Sequence, residues 1–283
     1  MIRHIRLHIC ALLLLLMPCA LHAATPQLQA TQGDVVRVET DASSAKLRLW
    51  CFGKQWPTKQ QADGHWRGWI GVDMKQKPQP YPVEWSDGKR VVARATLTVR
   101  KGNFRISRIT VSKQMAVFDK ATLHRIRSEV KALKATYTTP VDAEPAMIIR
   151  HRPIEGIEST PFGAQRFVNG EPRAPHSGID IAAPAGTPIL TPLAGKVLMV
   201  KAMYLNGNTV VIGHGNGLVS VFSHMRRTMV HTGDWVTADQ QIGEVGATGR
   251  ATGPHLHWGM RFNNARINPA SLMATAASTP THN

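Results

Sequence analysis

The sequence predicts a mainly β protein: a small N-terminal β-sandwich-like domain over 28–112, a connector helix and linker over 113–147, and a compact antiparallel β domain over 148–273. Three observations carry this. Val91, Ala93, Ala95, Leu97 and Val99 alternate with polar neighbours, the period of a half-buried strand. One segment only, around residues 119–137, repeats its apolar residues at helical spacing. Beyond Ile148 the chain turns rich in Gly and Pro, with short apolar runs and tight turns.

The first 23 residues have the form of a secretory signal. Arg3 and Arg6 precede the apolar run Ile9–Met17, and Ala20-Leu21-His22-Ala23 supplies small residues at a cleavage site. The apolar run is shorter than the roughly 18 residues a membrane span needs. Removing the signal also removes Cys10 and Cys19, so Cys51 cannot form an internal disulfide and is expected in the core. The remaining chain holds 32 Lys and Arg against 18 Asp and Glu, a net of +14. An exported, basic protein is expected to meet an anionic polymer or membrane surface rather than nucleic acid.

In the N-terminal unit, Asp63-Gly64, Ser86-Asp87-Gly88 and Pro78-Gln79-Pro80 mark turns. Trp50, Trp56, Trp66, Trp69 and Trp85 fall here and are expected mainly as core. The helix follows, with Asp119 as N-cap. Leu123, Ile126, Val130, Leu133 and Tyr137 form its apolar stripe, and Glu129 lies with the basic residues on the other faces. Pro140 and Pro145 make 138–147 a linker. In the C-terminal unit, strands are expected over Lys196–Lys201, Asn208–Gly213, Leu218–His224 and His255–Phe262, with Gly215-Asn216-Gly217 as a hairpin turn. Residues 274–283 are small and polar and are expected to be disordered.

The chemistry lies in the C-terminal histidines. His176 and Asp180 flank Ser177-Gly178-Ile179, and glycine lets a backbone bend tightly enough for both to reach one metal. Leu218, Ser220, Phe222 and His224 share one face of a strand by alternation. His255 and His257 share a face at about 7 Å along the backbone. Four His and one Asp from three β segments exceed the three protein ligands of a catalytic zinc site, leaving two groups for proton transfer. His214, in the hairpin turn, and His231, in a loop, have no such context.

HSGID (176–180), FSH (222–224) and GRATGPHLHWG (249–259) together resemble the lysostaphin-type, or LytM-like, zinc peptidases of bacterial cell-wall metabolism. The resemblance covers about residues 148–273. It implies one zinc ion per chain on His176, Asp180 and His257, with His224 and His255 assisting catalysis. Arg173 is a candidate contact for substrate carboxylates. Peptidoglycan is the implied substrate and the D-Ala–meso-diaminopimelate cross-link the implied bond, cut by D,D-endopeptidase action. The location implied is periplasmic, at the wall or inner membrane, with an envelope regulatory protein as a further partner. Three other readings compete: a glycyl-glycine endopeptidase, a non-catalytic activator of a wall amidase, and a glycan-binding scaffold. The second is opposed by the presence of all five residues.

Overall fold

The computed structural model describes residues 25–273. The expected signal (1–23) and tail (274–283) lie outside those residues. The N-terminal region holds β1 (Gln27–Thr31), β2 (Val35–Thr40), β3 (Arg48–Cys51), β4 (Lys54–Trp56), β5 (Thr58–Gln60), β6 (Trp66–Gly71), β7 (Pro80–Ser86) and β8 (Val91–Arg100). They form a five-stranded sheet ordered β1-β8-β7-β3-β4 and a three-stranded sheet β2-β6-β5. Ala95, Leu97 and Val99 of β8 are buried and their neighbours are not, as the alternation requires. Trp56, Trp66, Trp85 and Cys51 lie in the core, whereas Trp50 is 39 % exposed. Burial pushes the Cys51 thiol up to about 12, so it remains a protonated, inert packing group.

β9 (Ile106–Ile109) belongs by sequence to the expected N-terminal unit. It nevertheless pairs in parallel with β11 (Gln165–Val168), which also forms a hairpin with β12 (Glu171–Pro172). β10 (Ile157–Thr160) opens the main C-terminal sheet. That antiparallel sheet continues through β13 (Gly178–Ala182), β15 (Gly195–Met203), β16 (Gly207–Gly215), β17 (Leu218–Met225), β19 (Trp235–Val236) and β21 (His255–Phe262), in the order β10-β13-β21-β17-β16-β15-β19. β22 (Ala265–Ile267) pairs β21, and β14 (Pro188–Leu190), β18 (Arg227–Thr228) and β20 (Gln241–Glu244) form a small separate sheet.

The main sheet has two differently covered faces. Phe222, Leu256, Trp258 and Phe262 join one continuous apolar cluster with Trp56, Leu49 and Trp85 of the N-terminal region. The rings of Trp56 and Phe262 are 5.4 Å apart. Val211, Val219 and Val221 point the other way and pack on Leu133 of α1 (Lys120–Thr136) and on its C-cap residue Tyr137. The Asp119 carboxylate accepts a 2.7 Å hydrogen bond from the Thr122 backbone N–H, the expected N-cap.

The helix is rotated relative to the stripe read from its sequence. Glu129 is buried and accepts from the Tyr204 N–H at 2.8 Å and from Arg125 Nε at 2.8 Å. Leu123 and Val130 are each 37 % exposed. A paired carboxylate thus fastens α1 to the end of β15, and the leading part of the stripe faces a cleft. Among the described residues, no helix is long and apolar enough to cross a membrane.

His214 occupies strand β16 rather than the turn, and is fully enclosed. Its Nδ1–H donates to the Ala194 carbonyl and its other nitrogen meets the Ser220 hydroxyl, each at 2.8 Å. Burial pushes this imidazole down to about 4 from its ordinary 6.5. The unfolded chain therefore takes up a proton below pH 6.5 that the folded chain refuses, and stability is lost as pH falls. Between about pH 7 and pH 4 this residue alone costs on the order of 3 kcal/mol. Denaturant titrations in chelator at both pH values should show this loss, reduced in His214→Gln.

Candidate metal centre and cleft

Three strands of the main sheet bring the candidate residues together. Asp180 in β13 is the register partner of His257 in β21, and His257 is in turn opposite Ser223 of β17. His176 precedes β13, and Gly178 lets the chain pass over β21. A Cβ there would stand 2.5 Å from the Trp258 carbonyl oxygen and 2.9 Å from His257 Cε1. Gly178→Ala is therefore expected to separate His176 from Asp180, cutting metal affinity by about tenfold or more, as a metal-competition titration would show.

His224 reaches the same face by a departure from alternation. A regular strand would direct it with Phe222 into the core. Its backbone instead adopts φ +67°, and the β16–β17 register shifts beside it. Such a bulge re-aims a side chain, and strain of this kind collects at functional sites. The His224 ring lies 4.6 Å from that of His255 and 6.3 Å from that of His257. The expectation that His224 shares a face with Phe222 is thus corrected.

The donor atoms converge closely. Asp180 Oδ1 is 2.8 Å from both His176 Nε2 and His257 Nδ1, and the two nitrogens are 2.9 Å apart. His176 Nδ1 faces the Pro161 carbonyl at 3.1 Å and donates there, which turns Nε2 toward Asp180 and His257. Two imidazole nitrogens and a carboxylate oxygen thus crowd around one point. A cation satisfies all three, and this donor set suits a metal. Burial would raise the Asp180 carboxyl, but hydrogen bonds with His176 and His257 outweigh it and hold the group well below the carboxylate range, ionised. Burial likewise lowers His257, against the pull of Asp180.

The other two histidines have fixed tautomers. His224 Nδ1 is 2.8 Å from the Thr248 carbonyl, and His255 Nδ1 is 2.8 Å from the Gly253 carbonyl. Each Nδ1 must donate, so each Nε2 is an available base. Burial, with His255 and His257 adding to it, pushes His224 down to about 3, so it is neutral across the physiological range.

Residues that the sequence reading passed over complete the surroundings. Arg166 Nη2 holds Asp180 Oδ2 at 3.1 Å. Thr248 fixes the His224 tautomer, and its hydroxyl bonds the Met225 carbonyl at 2.8 Å. Thr248 precedes the Gly249–Gly259 segment and Arg250 lies within it, but a lone Thr or Arg there carries no metal-ligand signal. The site opens into two adjoining clefts, of about 650 and 350 Å³. Leu123 and Val130 of α1 wall the larger, and Arg173, exposed, lines it as well.

A β sheet bearing a convergent His-Asp-His set, flanked by two further histidines in an open cleft, offers the groups that metal-dependent hydrolysis needs. The chain belongs to peptidase family M23, whose model matches residues 174–269. A Pseudomonas aeruginosa crystal structure assigned to peptidase M23 superposes over 86 % of this chain and 94 % of its own, with a TM-score of 0.69 and 31 % identity. The peptidoglycan DD-endopeptidase ShyC of Vibrio cholerae is 39 % identical over 44 % of this chain and 29 % of its own length. The DD-carboxypeptidase/endopeptidase Mpg of Neisseria meningitidis is 38 % identical over 40 % of this chain and 26 % of its own. The aligned segments therefore span less than a third of these curated relatives.

Proposed function

We propose that this protein is an exported, zinc-dependent endopeptidase that hydrolyses peptide cross-links of peptidoglycan, most directly the D-Ala–meso-diaminopimelate bond. Residues 148–273 form the catalytic unit in this reading, and 28–112 an accessory one. The observation that carries it is the 2.8–2.9 Å convergence of His176, Asp180 and His257 beside the free Nε2 atoms of His224 and His255. The activities for which ShyC and Mpg are named support the substrate, and the basic net charge suits an anionic wall polymer. The expected signal segment supports export to the periplasm.

His176 through Nε2, Asp180 through Oδ1 and His257 through Nδ1 would hold the zinc. When bound, zinc supplies a Lewis acid that activates water and polarises the scissile carbonyl. Pro161 and Arg166 orient His176 and Asp180 from behind, an arrangement that fixes ligand tautomer and geometry. His224 and His255 share two tasks: accepting the proton of the attacking water at Nε2, and hydrogen-bonding the developing oxyanion once protonated. The proton then passes to the leaving amine.

Purified sacculi incubated with the protein should lose cross-links, a chelator should stop the loss, and added zinc should restore it. Cross-link loss that persists in chelator would contradict the zinc reading.

A further inference from the structure

Three arginines converge on the cleft, and among the described residues a carboxylate, Asp180, pairs with one of them, Arg166. Arg166 lies on β11, and the Asn169-Gly170 turn brings the chain back so that the Arg173 N–H donates to the Arg166 carbonyl at 2.8 Å. The hairpin therefore sets Arg166 and Arg173 opposite each other. Arg250 arrives from the segment before β21, its N–H held by the Leu205 carbonyl at 2.8 Å. Arg166, His224 and Arg250 line both clefts, so they stand at the waist where the two meet.

Their charges are poorly satisfied. Arg166 gives one nitrogen to Asp180, while its buried Nε has no partner. Among the described residues, neither Arg173 nor Arg250 has an acidic partner. Burial lowers Arg250, and repulsion from Arg166 and Arg173 adds to it. A protein tolerates like charges at this cost when an anion arrives to pair with them, and planar guanidinium groups suit a carboxylate.

We propose that Arg166, Arg173 and Arg250 form an anion subsite that binds the free α-carboxylate of the residue whose amine the scissile amide contains. The proposal rests on the endopeptidase reading above. In the D-Ala–meso-diaminopimelate link, the carbon bearing the scissile nitrogen also bears a carboxylate, two bonds from that nitrogen. The cationic waist lies beside His224, which lines both clefts with Arg166 and Arg250. Glycyl-glycine bridges have no anion at that position. The subsite thus makes the free carboxylate a condition of cleavage.

The test uses the zinc-loaded full chain and two pairs of ligands. One pair is the cross-linked dimer with the D-centre carboxylate free or converted to a carboxamide. The other is the monomeric diaminopimelate-ending product in the same two forms, whose affinity is read by calorimetry. The free-acid monomer is expected to bind about 100-fold more tightly, and the dimers to differ by a similar ratio in kcat/KM, mostly through KM. Arg250→Gln should narrow both ratios to within about tenfold, and Arg250→Lys, which keeps the charge, should recover part of them. Arg173→Gln, at an exposed position, should narrow them without touching folding. Equal affinity of the two monomers, or ratios unchanged in Arg250→Gln and Arg173→Gln, would overturn the subsite. Cleavage of neither dimer with the affinity ratio intact would support the subsite while contradicting the endopeptidase reading.

Discussion

Replacing His257 by alanine is expected to abolish cross-link cleavage, by more than about 1,000-fold, and to remove the metal. Among the described residues, His257 Nδ1 is one of three convergent donors, and Asp180 Oδ1 with His176 Nε2 cannot close a site alone. The variant should still fold. Leu256 and Trp258, on the opposite face of β21, remain in the core, and the strand keeps its pairing with β13 and β17. Metal content and thermal unfolding measured on the same preparation check both halves. A variant that keeps stoichiometric metal and full activity would remove His257 from the site.

Replacing His255 by alanine should separate the chemistry from the metal. Its Nδ1 is held by the Gly253 carbonyl, and among the described residues its ring is not one of the three convergent donors. General acid–base groups contribute about 10²–10⁴-fold, so kcat should fall by that factor while metal content and KM change little. His224→Ala should lower kcat over the same range. The double variant should be little worse than either single one, because groups that handle one proton act as a unit. Loss of metal in His255→Ala would make it a ligand instead.

The candidate donors were legible in the sequence as a group of four His and one Asp, and the resemblance picked three of them as ligands. His255 and His257 share a face by strand period, and Gly178 marks the bend that joins His176 to Asp180. His224 was legible as a residue but not in its direction. The bulge at φ +67° reverses the face that alternation assigns, and no turn residue announces it. The helix was legible in its extent and N-cap, yet its rotation depends on the Glu129–Tyr204 bond, a tertiary contact to a residue 75 positions away. The β9–β11 pairing joins segments nearly 60 residues apart, and two short strands carry no signal of their partner. The arginine cluster is likewise invisible along the chain, because Arg250 meets Arg166 and Arg173 only through folding. Tryptophan as core held where the residue faces between the N-terminal sheets, and failed at Trp50, which faces out from β3.

The most direct test of the account is mass analysis of a purified D-Ala–meso-diaminopimelate cross-linked dimer after incubation with the zinc-loaded protein. The account predicts two monomers whose combined mass exceeds that of the dimer by one water, split at the D-Ala carbonyl, and no products from His257→Ala. An intact dimer with zinc bound in stoichiometric amount would contradict it.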